Sequence, residues 1–331
     1  MIDRPGTFTD ICAQHGIPVV VTDVLDPTGG PTVFPEEYAV QSLIDQFRSF
    51  GADVIHCHTV RAASQAIPAA NRVNLPCVFT ADGSQPVVMA RKMGLRFATI
   101  CLSEASFAEL SSDAPESIVD YIPNGTKVMA RPPRATGPAR SPELIMVGSL
   151  ISRKGVDIAI LAVSELRRRR GRECPVLNIY GDGNQREYLA EMAAVLELDD
   201  VVRFHGFRKG ILERCPSTDV FVLSSRLEAG PLVVLEAMSH GMPIVATDVG
   251  EVTKMLPDQR YGRVVAPGSI VPLAEAIESL LADLDAGRFD PGLLIDRHRA
   301  LYSDEKMAAR TEAVYDEARA SCLAAGSSVP G

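Results

Sequence analysis

Asp219-Val-Phe-Val-Leu-Ser-Ser-Arg-Leu-Glu-Ala-Gly-Pro-Leu-Val-Val-Leu-Glu-Ala-Met-Ser-His-Gly-Met-Pro-Ile-Val-Ala-Thr-Asp248 reads as strand, loop, helix and strand. Its two outer runs, 219–224 and 243–247, are short and rich in Val, Ile and Phe, as buried strands are. Pro231 falls where the first helical turn begins, a position that loses nothing from the missing N–H, and Gly241 suits the C-terminal cap. Such a unit builds a parallel sheet covered by helices. Two acids interrupt the apolar pattern. Glu228 lies on the loop leaving the carboxyl end of a strand, the edge at which open α/β sheets bind ligands. Glu236 lies inside a helix otherwise made of Leu, Val, Ala and Met, so its carboxylate is expected to be hydrogen-bonded or to face a wet cleft. A carboxylate accepts two hydroxyls at once, which suits sugar and ribose. The helix start beside Gly230, Pro231 and Leu232 offers free N–H groups and positive dipole to a phosphate. The structural alternative is that Glu228 caps the helix and Glu236 bonds neighbouring backbone.

The same alternation extends through most of the chain. Strands are expected at 143–147, 176–180, 201–204 and 262–266 in this half, with helices at 155–170, 186–196, 232–240 and 272–284, which makes a doubly wound domain. Helical patterns at 293–302 and 306–323 follow, then a tail of small residues from Ala324 that is expected to be disordered. In the first half, strands are expected at 18–22, 53–57, 77–80 and 97–101, and helices at 36–50 and 103–111, the latter with Ser103 as N-cap. Residues 126–142 hold four prolines and four basic residues, no acid and no periodicity, and read as the connection between domains. The resulting division is 1–125, connection 126–142, 143–302, a helix at 303–325 and a tail at 326–331.

A second constellation, Gly148-Ser-Leu-Ile-Ser-Arg-Lys-Gly155, stands between a strand and a helix. Arg153 offers a planar fork and Lys154 a mobile point charge, a pair suited to a diphosphate. Gly181-Asp-Gly183 follows another strand, at a third point of the same sheet edge, although Gly-Asp-Gly is also a common turn. The P-loop ending and the dinucleotide glycine spacing are both absent.

With 331 residues the chain exceeds the size of a usual single core, and a net charge of -9 argues against a nucleic-acid partner. The one dense basic run, Arg167 to Arg170 before Gly171, closes a helix, where cations complement the dipole; the alternative is contact with an anionic membrane surface. Seven scattered cysteines without a C-x-x-C pair suggest neither a disulfide framework nor a zinc ribbon, and fit a reducing cytoplasm. No run approaches the ~20 apolar residues of a membrane span, and the N-terminus has no signal-peptide pattern. His56 and His58 sit at i and i+2 on a strand and face the same side; packing or acceptor contact fits them better than metal binding, as no partner has ligand spacing.

Together these motifs resemble the retaining GT-B glycosyltransferases of family 4, the glycosyltransferase group 1 family. The family's Glu, seven residues, Glu pattern is matched by Glu228 and Glu236, and its Gly-x-Pro-Ile/Val-Val-Ala-Thr stretch by Gly241 to Thr247. Its Gly-x-Leu-x-x-x-Lys-Gly is matched by Gly148, Leu150, Lys154 and Gly155. Ile179 to Gly183, Phe204 to Phe207 and Gly262 to Gly268 match further. In the first half Asp53-Val-Ile-His-Cys-His58, Cys101-Leu-Ser-Glu104 and Ile122-Pro-Asn-Gly125 are similar to family motifs. Two departures stand out. The chain begins within the first helix, around residues 8–15, instead of with a strand and a glycine-rich loop, and Asp82 stands where the family frequently has a His near the transferred sugar.

The resemblance implies an α/β, GT-B fold: two Rossmann-like doubly wound domains facing a cleft, the N-terminal one lacking its first strand. It implies transfer from a nucleoside-diphosphate sugar to an acceptor hydroxyl with retention, no cofactor and no obligatory metal. Arg153, Lys154 and Glu228 would be catalytic. Donor contacts would come from Gly148, Gly181, Gly183, Phe207, Gly230, Pro231, Leu232 and Glu236 as well, and acceptor-side contacts from His58 and Asp82. The acceptor, a saccharide, a lipid-linked or a small molecule, is left open, as is peripheral membrane contact. Alternatives are a non-catalytic subunit that keeps the donor pocket, and a retaining phosphorylase or sugar-nucleotide epimerase of the same fold.

Overall fold

In the computed structural model, residues 12, 16–18, 37–81, 87–88, 94–113, 118–129, 141–216 and 219–326 are described. The expected helix at 8–15 and strand at 18–22 lie outside them apart from Cys12 and Pro18, as does Asp82. The chain divides into two compact units, one of residues 1–122 with 309–331 and one of residues 123–308. It thus crosses after Ile122, ahead of the expected boundary at 125, and returns within its last helix. Thr126, expected to open the connection, instead pairs with Ser303 inside the second unit.

In the first unit α1 (Glu37–Phe50), β1 (Ile55–Cys57), α2 (Val60–Arg72), β2 (Cys77–Ala81), β3 (Ala98–Cys101), α3 (Glu104–Asp113) and β4 (Val119–Tyr121) follow in order. The four strands form a parallel sheet in the order β1-β2-β3-β4. Val40, Leu43, Ile44 and Phe47 form the stripe by which α1 joins the core. Ser103 caps α3, its Oγ accepting from Ser106 N at 3.2 Å.

In the second unit β5 (Leu144–Val147), α4 (Val156–Arg170), β6 (Leu177–Tyr180), α5 (Arg186–Val195), β7 (Val202–Phe204), β8 (Val220–Leu223), α6 (Leu232–Ser239), β9 (Ile244–Thr247), α7 (Val252–Met255), β10 (Arg263–Val265), α8 (Ile270–Asp285) and α9 (Pro291–Leu301) follow. Six parallel strands run in the order β10-β9-β8-β5-β6-β7. The sheet is covered on both faces, and alternation along each strand feeds two cores. Leu144, Met146, Val220 and Val222 enter the cluster with α4, α5 and α8. Ile145, Phe221 and Leu223 enter the other, with Val234, Leu235 and Met238 of α6 and Leu294 of α9. Sequence order reverses between β5 and β8, so the loops leaving these two neighbours diverge to opposite faces and leave a crevice at their carboxyl ends.

The last helix, α10 (Asp304–Gly326), contains Ala324 to Gly326, which the sequence reading assigned to the tail. No helix among the described residues is long and apolar enough to cross a membrane.

Candidate functional site

Two loops meet at the crevice. The loop after β5 tightens into a single 3-10 turn, Ser152–Lys154, closed by Gly155 in the left-handed region at φ 61°. The loop after β8 carries Ser224 to Gly230. Backbone and side chain stitch the two together: Arg226 N–H donates to Arg153 O at 2.8 Å and Ser224 Oγ to Gly155 O at 2.7 Å. Arg226 also forks onto Asp157 at 2.9 and 2.6 Å and reaches Ser152 O at 2.7 Å. Thr247, at the end of β9, fixes Ser225 O at 2.7 Å.

These bonds aim three side chains at one another. Lys154 Nζ donates to Glu228 Oε1 at 2.6 Å, Ser225 Oγ donates to the same oxygen at 2.8 Å, and Arg153 Nη1 stands 3.8 Å from Glu228 Oε2. Exposure is graded across the group: the Glu228 side chain keeps 7% of its surface, Lys154 21% and Arg153 49%. Glu228 is therefore an anchored, nearly buried anion, and Arg153 presents a largely open cation. Of the three donors on the Lys154 ammonium, Glu228 takes one, which leaves capacity for an anionic ligand. Glu228 does not cap α6; that alternative fails because its carboxylate is turned to Lys154 and Ser225.

Pro231 stands at the N-cap of α6, and Val234 N bonds Pro231 O at 3.0 Å, so the first-turn amides at Leu232 and Val233 have no intrahelical carbonyl to bond. Leu232 is exposed and Gly241 closes the far end, its N–H on Met238 O at 2.9 Å. Glu236 is exposed on α6, the second of the two settings expected for a carboxylate in an almost wholly apolar helix: the apolar residues around it face the core and leave it on the open side. Local crowding by protein raises its pKa, with Glu213 adding like charge and His240 opposing. The structure thus brings Arg153, Lys154 and Glu228 into direct contact, and no hydrogen bond among the described residues links Glu236 to them.

Gly181 and Gly183 serve packing. A Cβ on Gly181 would collide with Gly148 O, and one on Gly183 with Leu150 O, because the loops after β5 and β6 run against each other. Gly148 N bonds Tyr180 O at 3.0 Å and Leu150 N bonds Asp182 O at 2.9 Å. Their role is to fix the loop that carries Gly148, Arg153 and Lys154. Phe207, beyond β7, is 78% exposed. At the ends of β6 and β7 Tyr180 stacks on His205 with ring centroids 4.5 Å apart, and His205 Nε2 pairs with Asn178 Oδ1 at 2.7 Å, a polar–aromatic platform.

In the first unit His56 and His58 share a face as their spacing implies, with rings 4.2 Å apart. Both nitrogens of His56 are taken, by Tyr315 Oη at 2.6 Å and Thr80 Oγ1 at 2.8 Å, so it fastens α10 to the sheet. His58 is exposed at the end of β1. The basic run also has internal partners: Arg167 bonds Asp200, Arg168 bonds Glu165, Arg169 bonds Glu165, Glu275 and Glu278, and Arg170 bonds Glu173 O.

Comparison with known proteins places these loops in context. Residues 133–288 match the family profile of "Glycosyl transferases group 1". The alpha-D-kanosaminyltransferase of Streptomyces kanamyceticus is 38% identical over 146 residues, covering 43% of this chain and 37% of that protein. The glycogen synthase of Mycobacterium tuberculosis is 29% identical over 261 residues, 71% of this chain and 62% of that protein. The chain thus spans less than two thirds of either relative. Among solved structures, Anabaena HepE in complex with UDP superposes with a TM-score of 0.77 at 19% identity, over 95% of this chain and 90% of HepE. With two Rossmann-like units of parallel sheet, the chain has the GT-B glycosyltransferase fold, and the profile match over residues 133–288 is to glycosyltransferase group 1 domains.

Proposed function

We propose that this chain transfers a sugar from a nucleoside-diphosphate sugar to an acceptor hydroxyl, with retention at the anomeric carbon and without an obligatory metal. The observation that carries the reading is the Lys154–Glu228–Ser225 group with Arg153 at its mouth, set at the point of the sheet where strand order reverses. The names of the relatives support the reaction class, and retention and metal independence rest on the family 4 resemblance. HepE was solved with UDP, which makes UDP the first nucleotide to try.

In this reading Arg153 and the free donors of Lys154 neutralise the diphosphate as it leaves, where electrostatic stabilisation lowers the barrier of a reaction with an ionic transition state. Leu232 and Val233 amides receive a phosphate oxygen. Glu228, held rigid by Ser225 and Lys154, accepts hydroxyls of the donor sugar and positions the anomeric carbon, and Glu236 accepts ribose hydroxyls. His58 and Asp82 are assigned to the acceptor side, and the acceptor itself is a saccharide, a lipid-linked or a small molecule. The test is donor turnover by Lys154→Ala and Glu228→Gln, with UDP-, ADP- and GDP-sugars. Each variant is expected to keep the fold and lose at least about a hundredfold in rate, as single transition-state contacts do. Wild-type turnover in either variant refutes the assignment.

A further inference from the structure

The loop that follows Glu228 is held from outside as well as by the Lys154 group. Ala229 O accepts Glu251 N at 3.0 Å, and Gly230 O accepts the carboxamide Nδ2 of Asn124 at 2.9 Å. Asn124 lies 106 residues away in sequence, just after the chain has entered the second unit. Its own backbone is fixed: Gly125 N–H points at Met307 Sδ at 3.2 Å, Thr126 N bonds Tyr302 O at 3.0 Å, Asp304 N bonds Thr126 O at 3.0 Å, and Thr126 Oγ1 pairs with His298 Nε2 at 2.8 Å.

The carbonyl that Asn124 binds belongs to the Gly230–Pro231 peptide. That peptide has no N–H, so its oxygen is the group by which its orientation is held. Its rotation would carry Pro231 and the free amides of Leu232 and Val233 with it. Because Gly230 O is only an acceptor, the nitrogen side of the Asn124 amide must face it, and an isosteric carboxylate would present oxygen to oxygen.

We propose that Asn124 is a positioning residue of the donor site: its amide sets the Gly230–Pro231 turn and thereby aims the first-turn amides of α6 at the donor diphosphate. The inference rests on the proposed donor reading of this edge and adds a residue that touches no substrate. Asn124→Asp keeps size and shape and removes the donor; Asn124→Ala removes the group. Thermal melting first establishes that both are folded. Hydrogen exchange of peptides over 228–235, measured without ligand, is expected to be faster in both variants than in wild type. Affinity for UDP, ADP or GDP, whichever the wild type binds most tightly, is expected to fall about tenfold, the loss of one hydrogen bond's worth of aim. Unchanged exchange overturns the positioning role whatever the nucleotide data show. Faster exchange with unchanged affinity overturns its link to the donor. Failure of wild type to bind any of the three nucleotides refutes the donor reading instead, and the exchange comparison then still decides whether Asn124 holds the turn.

Discussion

Gly155 joins backbone geometry to chemistry at the scale of one residue. It ends the turn that carries Arg153 and Lys154, its φ is 61°, and a Cβ there would run into Ser224 O. Ser224 is the residue before Ser225, which donates to Glu228, so any shift at Gly155 reaches the buried carboxylate within two residues. Gly155→Ala combines a disfavoured conformation with a collision against backbone that β8 holds in place, and is expected to cost more than about 2 kcal/mol. Equilibrium urea denaturation measures it, and a midpoint equal to wild type contradicts the close approach. Lys154 and Glu228 were legible from type and position, because a Lys after a strand and an acid after the neighbouring strand share the sheet edge in any doubly wound domain. Their partner Ser225 was not, since Ser is common in loops and its Oγ acquires meaning only when the chain curls it back onto Glu228. Asn124 was hidden further still, its partner being Gly230 on a distant segment. For Glu236 the sequence left two settings open, hydrogen-bonded or facing water, because helical spacing does not fix which side of a short apolar helix stays open; the structure has it exposed.

Among the elements, strands with uniform Val, Ile and Leu composition came out of the sequence within a residue or two of their observed ends. The helix Val60–Arg72 did not. Pro68 interrupts it, five of its thirteen residues are Ala, and Gln65 is buried beside them, so neither a stripe of large apolar residues nor an unbroken turn pattern announces it. The strand Val119–Tyr121 is three half-buried residues, too short for alternation to register. Where alternation is strong, each strand has a measurable worth. Phe221 is fully buried on the face of β8 turned to α6 and α9, and packs with Ile145, Val234 and Met238. Phe221→Ala empties the centre of that layer and is expected to destabilise the protein by about 3–5 kcal/mol, seen as a lower urea midpoint. Because β8 leads directly into Ser224 and Ser225, the same variant is expected to weaken nucleotide affinity under conditions where it remains folded. Equal stability to wild type would mean the layer closes over the gap.

Across the whole molecule, an imidazole in each unit ties distant segments together, the half-buried His56 in one and His298 in the other. His56 joins Tyr315 to Thr80, and His298, fully buried in α9, joins Thr126. Burial lowers the pKa of both from 6.5 to about 4; His58 pushes His56 down further, and around His298 Asp304 pulls upward while Arg299 and His240 push down. Among the described residues His298 Nδ1 is also buried without a hydrogen-bond partner, so a proton added there meets no acceptor. The folded state therefore binds fewer protons than the unfolded state between these two values. The stability associated with the neutral rings is fully present above pH 6.5 and is lost as pH falls toward 4, with each ring contributing a slope of at most about 1.4 kcal/mol per pH unit. Glu165 and Asp258, held near 2 by Arg168 with Arg169 and by Arg260, lose their contributions only below pH 4.5 and do not confound this window. Urea midpoints at pH 7, 6 and 5 are thus expected to fall steadily for wild type and less steeply for His56→Gln and for His298→Gln. The double variant should be flatter than either. A wild-type slope in all three variants would assign the acid sensitivity to other groups.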